Sequence, residues 1–60
     1  MDVLWHQQDI AALRKSMGLT LREFGKLLGV SEATVSRWEQ GHRHPRYDEM
    51  VKLNRLAEEN

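Results

Sequence analysis

Sixty residues, nine Lys and Arg balanced by nine Asp and Glu, and no Cys leave little freedom. The length admits one domain near the lower limit for unaided folding, and the absence of Cys excludes a disulfide framework or thiolate metal centre, so side-chain packing alone must build the core. Zero formal charge argues against a protein that binds polyanions by bulk charge, yet the charge is unevenly spread. From Arg37 to Arg46 the segment RWEQGHRHPR carries three Arg and two His against Glu39 alone, whereas Asp48, Glu49, Glu58 and Glu59 follow it. Met1 to Gln8 lacks the basic start and continuous apolar run of a signal peptide, and no stretch approaches membrane-spanning length. The expectation is a soluble, cytoplasmic protein.

Residues 1–8 read as an N-terminal extension of a single domain over 1–60. Within the extension, Trp5 and Leu4 are either a staple over the small core or part of a dimer contact. The first helix has Ile10, Leu13 and Met17 at i, i+3 and i+7, one face wide, with Asp2 or Asp9 as its cap. Gly18, Gly29 and Gly41 each follow a stretch of helical apolar spacing and are expected to close it in the left-handed conformation. Thr20-Leu21-Arg22-Glu23 is a capping box. It opens a second helix that buries Phe24, Leu27 and Leu28, partly covers Leu21, and uses Gly25 to let another helix approach, at about 1 kcal/mol of helix propensity. Only Gly29 and Val30 separate it from Ser31, the cap of a third helix running from Glu32 to about Gln40. That helix buries Val35 and Trp38, with Glu32, Ala33, Ser36 and Arg37 on its other faces. After the polar loop His42-Arg43-His44, Pro45 stands where a fourth helix begins, carrying Tyr47, Met50, Val51, Leu53, Leu56 and Ala57. The expected core is Ile10, Leu13, Phe24, Leu27, Val35, Trp38 and Leu53.

Two short helices joined by a tight Gly-containing turn, the second with a small and polar leading end, describe a helix-turn-helix over residues 20–40. A major groove about 12 Å wide admits one helix, provided that bulky side chains at its tip do not hold it off the bases. Here the tip is Ser31-Glu32-Ala33-Thr34. Helix N-termini present free amides and positive dipole to phosphates, so the starts at Leu21 and Glu32 are suited to clamp a DNA backbone.

The ordered set Ile10…Leu13-Arg14, Gly18-Leu19-Thr20, Phe24-Gly25…Leu28-Gly29-Val30-Ser31, Thr34-Val35-Ser36-Arg37-Trp38-Glu39-Gln40-Gly41 and Pro45 resembles the Cro/phage-repressor, or XRE-type, helix-turn-helix domain from Ile10 to Leu56. The resemblance implies an all-α, compact four-helix, lambda-repressor-like domain, lacking the usual fifth helix that often supports dimerisation in repressors of this type. It further implies a structural ion pair between Arg14 and Glu39. By the same resemblance Glu32, Ala33, Thr34 and Arg37 face base edges, while Leu21 (through its amide), Ser36, His42, Arg43 and Arg46 lie near phosphates. Arg37 is suited to bond guanine O6 and N7 together, worth about 1–3 kcal/mol of discrimination, and Ala33 to meet a thymine methyl. Two residues depart from the family pattern. Leu21 stands where Gln is frequent, and the acid Glu32 tips the reading helix, where it matches cytosine N4 but repels phosphates.

The remaining candidates read as ordinary surface. His42 and His44 lack a neighbouring acid or Cys pattern, so no metal and no cofactor are expected. Arg22, Lys26, Lys52 and Arg55 are solvated helix faces. Glu23, Glu39 and the histidines do not assemble a nucleophile, base and orienter, which argues against an enzyme. The expected function is a transcriptional regulator, a repressor bound as a homodimer to a two-fold operator on double-stranded DNA, nucleoid-associated, with half-sites about one helical turn apart. The alternatives are the DNA-binding antitoxin of a toxin-antitoxin pair, or a protein-interaction module that kept the fold without DNA affinity. A toxin or a missing domain is the corresponding protein partner.

Overall fold

A computed structural model describes residues 5–59. These form four helices and no strand: α1 (Gln7–Ser16), α2 (Leu21–Leu28), α3 (Glu32–Gln40) and α4 (Tyr47–Glu59). Each start is set by a local hydrogen bond. At α1 the N-cap is His6, whose backbone N–H donates to Asp9 Oδ2 at 3.2 Å. Asp9 therefore works from inside the first turn and not as the cap, and Asp2 lies outside the described residues. At α2 the box is complete, with Glu23 N–H donating to Thr20 Oγ1 at 3.1 Å and Thr20 N–H donating to Glu23 Oε1 at 2.9 Å. At α3 Ser31 Oγ accepts from Thr34 N–H at 3.1 Å. The fourth helix begins later than Pro45 suggests. Arg46 N–H donates to Glu49 Oε1 at 2.7 Å and Arg46 O accepts from Met50 N–H at 2.8 Å, while Pro45 is buried in the loop before them.

The three closing glycines all have positive φ, as their positions suggested. Gly25 has a different reason. A Cβ there would stand 2.7 Å from the carbonyl oxygen of Val30, so the absent side chain lets the turn fold back against α2.

Ile10, Leu13, Phe24, Leu28, Val35, Trp38 and Leu53 form the core among the described residues. Leu27, expected there, is 55% exposed, whereas Leu28 is 1% exposed. The two adjacent positions lie about 100° apart around α2, and α2 makes its closest packing against α3, with α4 touching it less. The side facing α3 takes Phe24, Gly25 and Leu28, which leaves Leu27 beside Lys52, Arg55 and Leu56 at the edge. Lys52 Nζ reaches back over this edge to donate to Leu28 O at 3.1 Å, giving the end of α2 a cation for its orphan carbonyls.

Trp5 makes contacts within the chain. It packs against the core and its Nε1 donates to Asn54 Oδ1 at 2.8 Å, fastening the entry of α1 to α4 across 49 residues of sequence. Of the two readings of this residue, the staple describes its contacts here. Leu4 lies outside the described residues.

Candidate nucleic-acid interface

The helix-turn-helix is the pair α2 and α3 with Gly29, Val30 and Ser31 between them. Burial fixes how α3 is turned. Val35 and Trp38 are three apart and both almost fully covered, so the direction between them points inward. At about 100° per residue, the opposite side carries Ala33, Ser36, Arg37 and Gln40. Ala33, Arg37 and Gln40 are exposed and Ser36 is half-buried. This side is small and polar, and it is bordered by Glu32, also exposed.

Two of the expected residues are engaged within the helix itself. Thr34 is half-buried, and its hydroxyl stands 3.0 Å from that of Ser31, which also caps its amide. Thr34 thus lies on the flank of the exposed side rather than at its centre. Ser36 Oγ accepts from Gln40 Nε2 at 3.0 Å. Gln40 was not among the residues singled out from the sequence, although its spacing of i+7 from Ala33, i+4 from Ser36 and i+3 from Arg37 was available to find it.

Unbonded amides open both helices. The caps satisfy the amides of Glu23 and Phe24 in α2, and of Thr34 and Val35 in α3. Those of Leu21 and Arg22, and of Glu32 and Ala33, are the orphan donors that open every α-helix. Leu21 itself is half-buried and packs against the core, so its side chain anchors the helix that presents its amide. His42, Arg43 and Arg46 are exposed in the segment after α3.

The scaffold beneath this surface is tied by one bidentate pair. Arg14 Nε donates to Glu39 Oε2 at 2.7 Å and Arg14 Nη2 to Glu39 Oε1 at 3.0 Å, while Nη1 reaches Leu19 O at 3.0 Å. The two side chains are only 16% and 14% exposed. The hydrogen bond to Glu39 is the main cause that raises the Arg14 guanidinium above its ordinary value, against a lowering by burial. Two consequences follow: α3 is locked to α1, and the single acid in the basic stretch from Arg37 to Arg46 is neutralised by a partner. The local positive charge is therefore greater than a count along the segment suggests.

A capped pair of helices with this turn, on this four-helix frame, defines a helix-turn-helix domain. The helix-turn-helix family profile matches residues 10–57, and the chain belongs to that family, in its Cro/phage-repressor branch. Among curated proteins, the chain is 42% identical over 52 residues to YiaG of Escherichia coli K12, an uncharacterized HTH-type transcriptional regulator, and equally to YiaG of Escherichia coli O157:H7. The match takes in 87% of this chain and 53% of each relative, so the chain spans about half the length of the curated relatives it matches. Among solved structures, it is similar to the P22 c2 repressor protein crystallised with synthetic operator 9T in the presence of Tl+. The TM-score there is 0.80 at 27% identity, over 87% of this chain and 79% of that one. Trp5, with its tie to α4, precedes the residues that the family profile matches. Among the described residues, no helix is long and apolar enough to cross a membrane.

Proposed function

We propose that residues 1–60 act as one sequence-specific domain for double-stranded DNA within a transcriptional regulator, with the helix-turn-helix over 20–40 seated on the duplex and α3 in the major groove. The observation that carries this reading is the outer side of α3. Its small and polar residues stand opposite the buried Val35 and Trp38, an arrangement that lets a helix backbone approach base edges. The likeness to a repressor solved with its operator supports the same reading.

In this reading Glu32, Ala33, Arg37 and Gln40 meet base edges, with Thr34 at their flank. Arg37 is suited to guanine and Gln40 to adenine N6 and N7. The amides of Leu21 and Glu32, the Ser36 hydroxyl and the side chains of His42, Arg43 and Arg46 hold phosphates, which set orientation but carry no sequence information. The domain acts as a repressor, as a homodimer on a two-fold operator, in the cytoplasm at the nucleoid, and performs no catalysis.

The test is selection of binding sites from randomised duplex with the purified chain, at low and at near-physiological salt. The expected result is an enriched, roughly palindromic site whose affinity falls steeply as salt rises, because phosphate contacts release counterions. Absence of enrichment in both conditions would favour the protein-interaction module, or a domain that binds DNA only together with a missing partner.

A further inference from the structure

Leu27 and Tyr47 are the large hydrophobic side chains that stand exposed among the described residues, at 55% and 79%. Tyr47 carries a hydroxyl that water can solvate, whereas Leu27 carries nothing polar. A single exposed leucine is ordinary, but Leu27 is not isolated. It shares a groove of about 270 Å³ along the α2–α4 edge with the half-buried Leu56, lined also by Leu28, Lys52, Arg55 and Glu59. Not all of the charges around it are available. Lys52 Nζ already donates to Leu28 O at 3.1 Å, and Lys26, next to Leu27, is attracted to Glu23 on the same helix. Arg55 and Glu59 remain. They stand four residues apart on α4 and so share a face, yet they are not paired with each other, since Arg14–Glu39 is the only ion pair among the described residues.

A partner that covers this groove must bring an apolar surface, an acid for Arg55 and a cation for Glu59. The groove itself offers all three. In a two-fold pair one patch meets its own copy, so each contact between two different residues is made twice. With two copies of α4 crossed antiparallel at Leu56, and a rise of about 1.5 Å per residue, Arg55 of one copy falls about 3 Å along the axis from Glu59 of the other. Leu56 then lies at the crossing, and Leu27 from each copy closes the apolar centre. A partner of a single charge sign would attract one of Arg55 and Glu59 and repel the other. We propose that the α2–α4 edge is a self-association surface, on which a second copy of this chain packs with Leu27 and Leu56 at the centre and Arg55 and Glu59 exchanged across the two-fold axis. The pairing deepens the homodimer part of the function proposed above and rests on that part alone. None of its residues belongs to the outer side of α3, so duplex and second copy do not compete for side chains. The surface is small, which makes the pair weak and dependent on concentration.

Sedimentation velocity of the chain without DNA, from about 10 μM to about 1 mM, reads the pairing directly. The expected result is a shift from monomer to dimer across that range. Leu27→Gln, at an exposed position, should keep the helical circular dichroism of the parent and weaken pairing about tenfold. Arg55→Glu and Glu59→Arg should each weaken it about tenfold as well. An equimolar mixture of those two chains, or one chain carrying both changes, should return pairing to the parent's range, which a general loss of surface or of fold would not do. A dimer that is indifferent to Leu27→Gln, or whose charge-reversed chains do not rescue one another, overturns this surface and leaves the homodimer reading to another. A chain that stays monomeric throughout overturns the pairing, and the selection on randomised duplex then reads separately whether two copies meet on a palindromic site.

Discussion

The two sides of α3 are selected by different physics. Inward, Val35 and Trp38 fill space against Phe24, Leu28 and Leu53, and what matters is volume and the exclusion of water. Outward, Ala33, Arg37 and Gln40 are exposed, and what matters is which donors they carry and how near the backbone can come to another molecule. One nine-residue helix thus holds a stability function and a recognition function on opposite sides. The Arg14–Glu39 pair at the border fixes the rotation that separates them. A change on the outer side should be nearly invisible to an unfolding assay, whereas a change on the inner side reaches both assays by unfolding the domain.

The largest test of that separation is Trp38→Ala. Removing a fully buried indole is expected to cost about 3–5 kcal/mol, comparable to the whole stability of a small domain. Urea unfolding should find the variant largely unfolded without denaturant. A midpoint close to the parent's would mean that α3 is not held from within.

Glu39→Ala is next, and it strikes the border. It leaves the Arg14 guanidinium with Leu19 O as its remaining partner in a site too covered for full hydration. The expected loss is about 2 kcal/mol, between the small worth of exposed pairs and the 3–5 kcal/mol of fully buried ones. Adding Arg14→Met should recover part of it, and a double-mutant cycle by thermal unfolding checks this. Additive losses would show that the pair does not act as a unit.

On the outer side, Arg37→Ala should move stability by no more than about 0.5 kcal/mol while lowering discrimination at one base position by about 1–3 kcal/mol. Arg43→Ala should instead weaken binding to every sequence and reduce the salt slope by about one. Competition binding on matched and singly altered duplexes at several salt concentrations distinguishes the two. Identical behaviour of both variants would dissolve the division between base reading and phosphate contact.

The smallest expected effect is a pH dependence at the start of α2. Hydrogen bonding from the Thr20 backbone amide, and then from its side chain, holds the Glu23 carboxyl below its ordinary value of 4.5. A carboxyl lowered in the folded state stabilises that state above its unfolded value, and the contribution is lost as pH falls through the folded one. Acid titration of stability should therefore be shallower below about pH 4.5 in Glu23→Gln than in the parent. An unchanged acid limb would remove this capping box from the balance.

Much of the frame is legible in the sequence because its signals are local. A capping box spans four residues, a glycine at a helix end must adopt positive φ to close it, and i, i+3 spacing marks a face. Thus Thr20, Ser31, the three closing glycines and the buried pair Val35 and Trp38 could be placed before any contact was known. The Arg14–Glu39 pair, 25 residues apart, entered through family resemblance, since nothing in the spacing announces it.

Tertiary structure alone decided the rest. Whether Leu27 or Leu28 faces inward depends on the side from which α3 and α4 approach, and two adjacent leucines offer no local means to tell. That Trp5 ties the entry of α1 to α4 was settled only when its indole was found on Asn54. The groove beside Leu27 draws on residues 27–28 and 52–59, which only the packing of α2 against α4 brings together. Helix starts and faces follow from interactions within a turn or two of chain, whereas the direction in which a face looks, and what closes over it, is settled between elements distant in sequence.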